Sequence, residues 1–471
     1  MIYLGDNWPR QYRNSIFMTN LLGNRINNDV LRRVGSGYVA SHGDDFLFAN
    51  DLWFRCINQK YAPDGSVYMI DWYDKNACHR RDKELWDRTN GRVYRVRFGN
   101  PEVRQVDLQQ LTNAELIALQ FHENDWYVRT ARRILQERCQ TDNSRRAAVR
   151  AAFEAADGPE FHSNVKPVPQ RLRMAWALHA CNFLSDARIA QLLAAEGHRS
   201  EYLRAWAIQL DVEDGKPQNL STLKQLAQSD PSPLVRLYLA SALQRLPLED
   251  RWQIAAGLLR HAQDEGDHNL PLLIWYGTEP LVAHHVQRAF GLAAESRIPI
   301  VSRYIYRRAA ADPETRNDLL VTLGAVPNED TQKLILDELT AALRSQGRLA
   351  MPAQWPSVYT KLAASSDPWI RERAQWITVK FGDASIFPTL RRIATDKAAR
   401  LESRRSALQA LLAGKDAQLT PVLLELLRDK DMRGAALRGL AGYADESIPA
   451  AILDVYTSLD VEEKSDAVTT R

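Results

Sequence analysis

The chain has 471 residues, 45% hydrophobic and 25% charged, with 61 Lys and Arg against 58 Asp and Glu. That length exceeds one ordinary domain, that composition excludes a disordered chain, and a net charge of +3 gives no global attraction to nucleic acid or to an anionic membrane. No apolar run approaches the roughly 18 residues of a spanning helix, and four cysteines are too few for a disulfide scaffold. The opening Met1-Ile2-Tyr3-Leu4-Gly5-Asp6-Asn7-Trp8 has neither the basic start nor the apolar core of a signal peptide. It reads as the interior of a fold.

The first hundred residues alternate over short runs. Ser15–Thr19, Ser66–Trp72 and Arg92–Phe98 are strand candidates, the last with its basic residues mainly on one face. Pro63-Asp64-Gly65 is a turn, because Pro presets φ and Gly accepts the positive φ that follows. Asn24–Asn28 and Gly35-Ser36-Gly37 read as loop and turn; Gly-x-Gly alone is too weak for phosphate binding. Such punctuation suggests all-β packing, as blades or a sandwich.

From about Leu108 the period becomes helical and a repeat emerges, an apolar-Arg step followed by apolar residues at helical spacing. It recurs at Arg129, Arg173, Arg204, Arg236 and Arg371, and more weakly at Arg404 and Arg433. Intervals near 30 residues with paired helices predict HEAT-like repeats stacked as an α-solenoid. Asp230-Pro231 and Asp367-Pro368 read as an N-cap followed by proline at the first helical position. Between Arg236 and Arg371 the pattern is helical but irregular. There, Asp267-His268-Asn269-Leu270-Pro271 reads as a break and Arg344–Arg348 as a loop. Glu462–Val468 looks like the first turns of a helix, and both ends of the chain read as cut.

Several motifs are more specific. Asp6-Asn7-Trp8-Pro9, Gly23–Asp29, Gly35-Ser36-Gly37-Tyr38, Asp45-Phe46-Leu47, Asn50–Arg55, Pro63–Tyr68, Asp71–Asp74 and Cys78-His79 occur in this order. With Arg236–Leu243 and Asp267–Pro271, the chain resembles the large exported dehydrogenases of planctomycetes and verrucomicrobia known as membrane-bound-dehydrogenase-domain or haem-binding Cys-x-x-Cys-His proteins. The resemblance implies a β-propeller similar to quinoprotein glucose and sorbosone dehydrogenases, then HEAT-like repeats, then a cytochrome c domain. It implies oxidation of a sugar or alcohol, haem c with a quinone or calcium in the full-length parent, and an exported, periplasmic or cell-surface location. The chain departs from the family in two respects. It holds no Cys-x-x-Cys-His, and Leu22 stands where the family usually has His before Gly-Asn-Arg.

The expected fold is therefore multidomain and mainly α: the last blades of a β-propeller (1–104), then a HEAT-like α-solenoid in two parts (105–345 and 346–471). Four residues of the β part are candidate catalytic groups. Asp71 is either a carboxylate facing the propeller funnel or a turn Asp capping backbone N–H groups. Asp51 and Arg55 beside Trp53 form either a clamp for an anionic ligand or blade packing. His42 near Asp44 and Asp45 is either a base accepting an alcohol proton or a solvated loop His. Cys56 and Cys78 are a disulfide candidate in an exported chain, and His79 lacks the companions of a zinc site. His284-His285 and Asp267-His268-Asn269 are not expected to bind metal, since adjacent helical side chains diverge. No cofactor is expected in this chain. The Arg ladder is expected to bond the loop Asp of the neighbouring repeat. It is not a nucleic-acid stripe, since 46 basic face 47 acidic residues beyond residue 100. The alternative to a dehydrogenase fragment is a non-catalytic scaffold whose solenoid face binds protein or polysaccharide.

Overall fold

A computed structural model describes residues 1–76, 89–102, 105–156, 167–194, 201–347 and 349–470. Cys78, His79 and Arg348 lie outside them. The chain divides into two compact units, Met1–Gly277 and Thr278–Arg471. The division falls inside the span 105–345 that the sequence reads as one solenoid segment.

The first unit opens with two small antiparallel sheets. In one, β1 (Ile16–Asn20) pairs with β2 (Arg25–Val34), and β2 pairs on its other side with β3 (Gly37–His42) and then β4 (Leu47–Phe48). In the other, β5 (Cys56–Tyr61), β6 (Val67–Asp71) and β7 (Arg92–Val96) run in sequence order. The alternation that predicts β1, β6 and β7 does place Phe17, Val67 and Met69 in the core. Tyr3 seals that core: its ring stacks 5.6 Å from Phe17, and its hydroxyl donates to Gly65 O at 2.8 Å. Phe46 stacks on the same Phe17 at 4.1 Å.

Asn24 keeps the expected turn, with φ +51°, but Arg25–Asn28 is not a loop and starts β2. Its polar residues lower β propensity, yet their side chains serve tertiary contacts: Arg25 pairs with Asp45 at 3.1 Å and Asp29 with His42 at 3.1 Å. His42, read as a loop residue, ends β3 opposite Asp29.

The helical part stacks in rows. In the first unit the helices Asp125–Thr141, Val168–Ala180, Glu201–Asp211 and Pro233–Leu243 each pack on the next in that row. In the second unit Pro299–Ala311, Glu329–Leu343, Pro368–Lys380 and Leu401–Gly414 do the same. Each helix buries one apolar stripe that it cannot bury alone, which makes the protein mainly helical and repeat-built. No helix of the described residues is long and apolar enough to cross a membrane.

Three of the seven repeat arginines bond a loop Asp as the spacing implies. Arg204 reaches Asp230 at 2.6 Å in the loop before the next helix of the row, and Arg236 reaches Asp264 at 2.6 Å in the 3-10 turn Ala262–Asp264. Arg404 bonds Asp429 at 2.5 Å in the same way. Arg371 instead donates to Ser365 O and Ser366 O of its own loop, and Arg129 and Arg173 converge on Asp125. Asp367 caps its helix, with Pro368 in its first turn. Asp230 does not cap: Ser232 is the N-cap, and the Asp230 carboxylate serves Arg204.

Candidate functional site

The β2–β3 hairpin closes through the two-residue turn Gly35-Ser36, since Val34 pairs with Gly37. Gly35 has φ +54°, the positive value a type II′ turn needs at its first position. A side chain there would also collide with the Asp267 carboxylate. The turn docks on the segment Asp267-His268-Asn269. Asp267 accepts from the Ser36 amide and from the Ser36 hydroxyl, each at 2.7 Å, and Asn269 Nδ2 donates to Ser36 Oγ at 3.3 Å. The same carboxylate caps the helix Leu270–His284 by accepting from Asn269 N and Leu270 N at 2.9 and 3.0 Å. Pro271 therefore sits in the first turn, where its missing N–H costs nothing, and begins a helix rather than breaking one. Burial pushes the Asp267 carboxyl up, but the Ser36 hydroxyl and the amides of Ser36, Asn269 and Leu270 outweigh it and hold it below the usual carboxylate range.

Behind the turn, Arg33 donates to Gly35 O at 2.8 Å and to the Tyr202 hydroxyl at 3.3 Å, with Glu201 3.5 Å away. Tyr38 and Tyr202 share a hydroxyl–hydroxyl bond of 2.9 Å. Burial and that bond push Tyr202 up to about 12. Tyr202 and Glu201 open the repeat that contains Arg204, so the signal for this contact is the repeat itself; what the period cannot supply is the strand that meets it. A second anchor lies at the start of Asp125–Thr141. There Asn124 Nδ2 donates to Asp6, Ala62 O and Pro63 O, and Tyr61 donates to Asp125 at 3.2 Å.

Successive repeats put an aromatic ring shortly after the repeat Arg. Trp176 and Trp206 meet edge to face at 4.7 Å, Trp206 and Tyr238 lie 6.4 Å apart, and Arg132 stands 5.6 Å from the Trp176 ring. Where this row reaches the hairpin there is a groove of about 480 Å³. Tyr238, Tyr276, Gln209, Ser241, His268 and Asn269 line it with leucines, and no Asp, Glu, Lys or Arg does. Tyr276 is 56% exposed.

The four residues singled out in the β part do not converge. Asp71 and Arg55 do meet: the Asp71 carboxylate accepts from Arg55 N at 2.6 Å and Tyr73 N at 3.0 Å, and both residues are buried. The Arg55 guanidinium donates to Phe54 O and Lys75 O. Asp51 accepts from Trp53 N at 2.9 Å, and Trp53 meets Tyr73 rather than an arginine. His42 stands apart with a carboxylate at each ring nitrogen, Asp29 at 3.1 Å and Asp45 at 3.4 Å. Among the described residues no hydrogen bond joins it to the other three.

Cys56 is a buried free thiol whose burial raises its pKa to about 11. Among the described residues, no group of three or more His, Cys, Asp or Glu is arranged to hold a metal ion. His285 caps the helix Val286–Glu295, and His284 ends the preceding one. Haem c does not fit this chain, because the sequence lacks the Cys-x-x-Cys-His thiols that it needs. Asp51 and one oxygen of Asp71 accept from backbone amides, and Asp71 Oδ2 is buried with no hydrogen-bond partner among the described residues.

Comparison with known proteins gives a limited picture. Residues 1–100 match the family described as Domain of unknown function (DUF7133). No curated protein matches the chain. A solved structure of the Pds5–Scc1 complex is similar at 13% identity and a TM-score of 0.36, covering 73% of this chain and 67% of that one.

Proposed function

We propose that this chain is a non-catalytic helical-repeat scaffold, and that the groove beside its hairpin holds a strand of neutral polysaccharide. The observation that carries this reading is the chemistry of the lining. Aromatic faces of Tyr238 and Tyr276 suit the C–H faces of sugar rings, and the amides of Gln209 and Asn269 with the Ser241 hydroxyl offer both donors and acceptors. The absence of a formal charge in that lining gives a sulfated or uronic chain nothing to pair with. Calorimetric titration with neutral and anionic polysaccharides tests it: neutral chains bind, and Tyr276→Ala weakens them without changing the unfolding temperature. Equal binding of anionic chains, or binding by a protein partner that Tyr276→Ala leaves intact, overturns the choice of ligand.

A separate observation favours a second reading, in which the β part is the end of a dehydrogenase propeller. The outer face of the β5–β6–β7 sheet exposes Ile57, Tyr68, Ile70 and Val93, where a propeller blade would receive its neighbour. The parent would then be an exported or periplasmic sugar or alcohol dehydrogenase passing electrons to haem c, with Asp71 and Arg55 shaping one wall of its pocket. Dye-linked oxidation by the full-length parent, lost with Asp71→Ala, supports this reading; no oxidation across a sugar and alcohol panel removes it. The chain itself is expected to be inactive under either reading.

A further inference from the structure

The helices Asp125–Thr141 and Val168–Ala180 lie side by side in the row, and near their starts Arg129 and Arg173 both reach Asp125. About eight to ten residues further along, the same two helices meet again through a pair of cysteines. Cys139 sits in the last turn of the first helix, and Cys181 caps the second, its N–H donating to Ala177 O at 3.3 Å. The two thiols are hydrogen-bonded to each other, free and buried, at 6% and 2% exposure. They belong to one apolar cluster with Leu135, Val149, Phe153 and Ala177. Cys56, the other free thiol among the described residues, lies in the separate core of the β part. Two sulfurs already in contact on neighbouring helices need little backbone movement to be joined.

We propose that Cys139 and Cys181 are a disulfide-forming pair, which a low-molecular-weight disulfide oxidises into a staple between two successive repeat helices. The Cys139 thiolate attacks one sulfur of the oxidant and expels a thiolate, leaving a mixed disulfide at Cys139. The Cys181 thiolate then attacks Cys139 Sγ and expels the second. One S–S bond forms as one breaks, and the two protons given up by the cysteines end on the two released thiols. Burial pushes both cysteines up, but their mutual bond lowers Cys139 and raises Cys181, and Arg146 and Arg150 lower Cys139 further. Cys139 is therefore the sulfur that ionises first, and Cys181 resolves. Access comes through the helix Asn143–Ala156, which carries both arginines and packs on Asp125–Thr141. Val149 and Phe153 are its only buried side chains, so it opens more readily than the helices of the row. The bond would close a loop of about 40 residues and so restrict the unfolded chain. The pair lies wholly in the first unit and is independent of the saccharide groove.

The test uses the full chain carrying Cys78→Ser, which leaves three thiols. Incubated in the folded state with glutathione disulfide and quenched in acid, it should lose two of the three in a thiol count. Peptide mapping without reductant should then join the segments that hold Cys139 and Cys181. Circular dichroism should be unchanged, and the oxidised form should unfold at a higher temperature, a gain that dithiothreitol reverses. Cys181→Ser should stop at a glutathione adduct on Cys139, whereas Cys139→Ser should take up glutathione roughly tenfold more slowly. Equal rates in the two variants overturn the order of attack. Three thiols that persist in the folded chain, under conditions that oxidise the chain in urea, overturn the proposal. A cross-link that includes Cys56 overturns it too.

Discussion

Ser36 and Asp267 lie 231 residues apart and share two hydrogen bonds of 2.7 Å, one from the Ser36 amide and one from its hydroxyl. Ser36 is 1% exposed. The same carboxylate caps the helix that follows, so one side chain both starts a helix and holds a hairpin. Removing it as Asp267→Ala combines a lost cap with lost charge-assisted bonds, about 3 kcal/mol together. Ser36→Ala removes only the hydroxyl and should cost about 1 kcal/mol. Scanning calorimetry checks both magnitudes, and hydrogen exchange at the Ser36 amide should lose protection in Asp267→Ala. Gly35→Ala should be at least as harmful as Ser36→Ala, since it adds strain at positive φ to a collision with Asp267.

The lock also carries a pH sign. The Asp267 carboxyl is held below its ordinary value, so its contribution is present above the unfolded pKa of about 4 and is lost as pH falls through the lower folded value. The stability gap between the parent and Asp267→Asn should therefore be widest near neutral pH and close in acid. Urea unfolding at a series of pH values measures it; a gap that widens in acid would contradict the assignment.

Arg236 and Asp264 are 1% and 2% exposed and pair through two bonds of 2.6 Å. Truncating either one leaves a buried charge without its partner, so Arg236→Ala or Asp264→Ala should cost about 3–5 kcal/mol. Replacing both with apolar residues of similar size, Arg236→Met with Asp264→Leu, should cost much less than the two singles added. The exposed pair Arg438–Asp466 is the control, at about 1 kcal/mol or less. A double-mutant cycle by denaturant unfolding separates the two cases.

The repeat was the most legible part of the sequence, because a period near 30 residues returns an Arg to the same helical position, although Arg129, Arg173 and Arg371 find other partners there. Arg204, Arg236 and Arg404 find their Asp partners for that reason. Strands β1, β6 and β7 were legible because one face is buried, which imposes period-two alternation. The start of β2 was not, since Ile26 is its one core apolar residue there and Asn28, opposite Phe17 of β1, puts a polar side chain on the same inner face. Gly35-Ser36-Gly37 stood out as a turn and Asp267-His268-Asn269 as a break in the helical pattern, which the structure makes a helix start. Nothing periodic links positions so distant, so their meeting had to come from the fold. Asp71 and Asp51 illustrate the opposite limit: a carboxylate that accepts from backbone amides reads the same in the sequence as one that faces a ligand.

Tyr202 offers a spectroscopic check on the hairpin contact. Burial and the bond to Tyr38 favour its neutral form and push its pKa up to about 12. A raised tyrosine stabilises the fold below the unfolded value of about 10 and loses that contribution as pH climbs towards 12. Phenolate absorbance of the parent minus that of Tyr202→Phe should show one tyrosine titrating well above the ordinary range. Tyr38→Phe should bring that titration down, and a Tyr202 that titrates normally in the parent would mean the hairpin is not docked.

Ile70 and Val93 face each other across β6 and β7 on the outer side of their sheet, 48% and 70% exposed. Their neighbour Met69, on the inner side, is 1% exposed. An exposed apolar pair of this kind contributes little to the fold of the chain that carries it, whereas the buried methionine fills a core. Ile70→Thr with Val93→Thr should therefore change unfolding free energy by about 0.5 kcal/mol or less per site, while Met69→Ala should cost about 2–5 kcal/mol. The double Thr variant should also bind less of an apolar fluorescent dye, because it removes contiguous exposed hydrocarbon. If the Thr pair proves as damaging as Met69→Ala, the outer face is packed in solution and the blade-like reading of this sheet loses the observation that favours it.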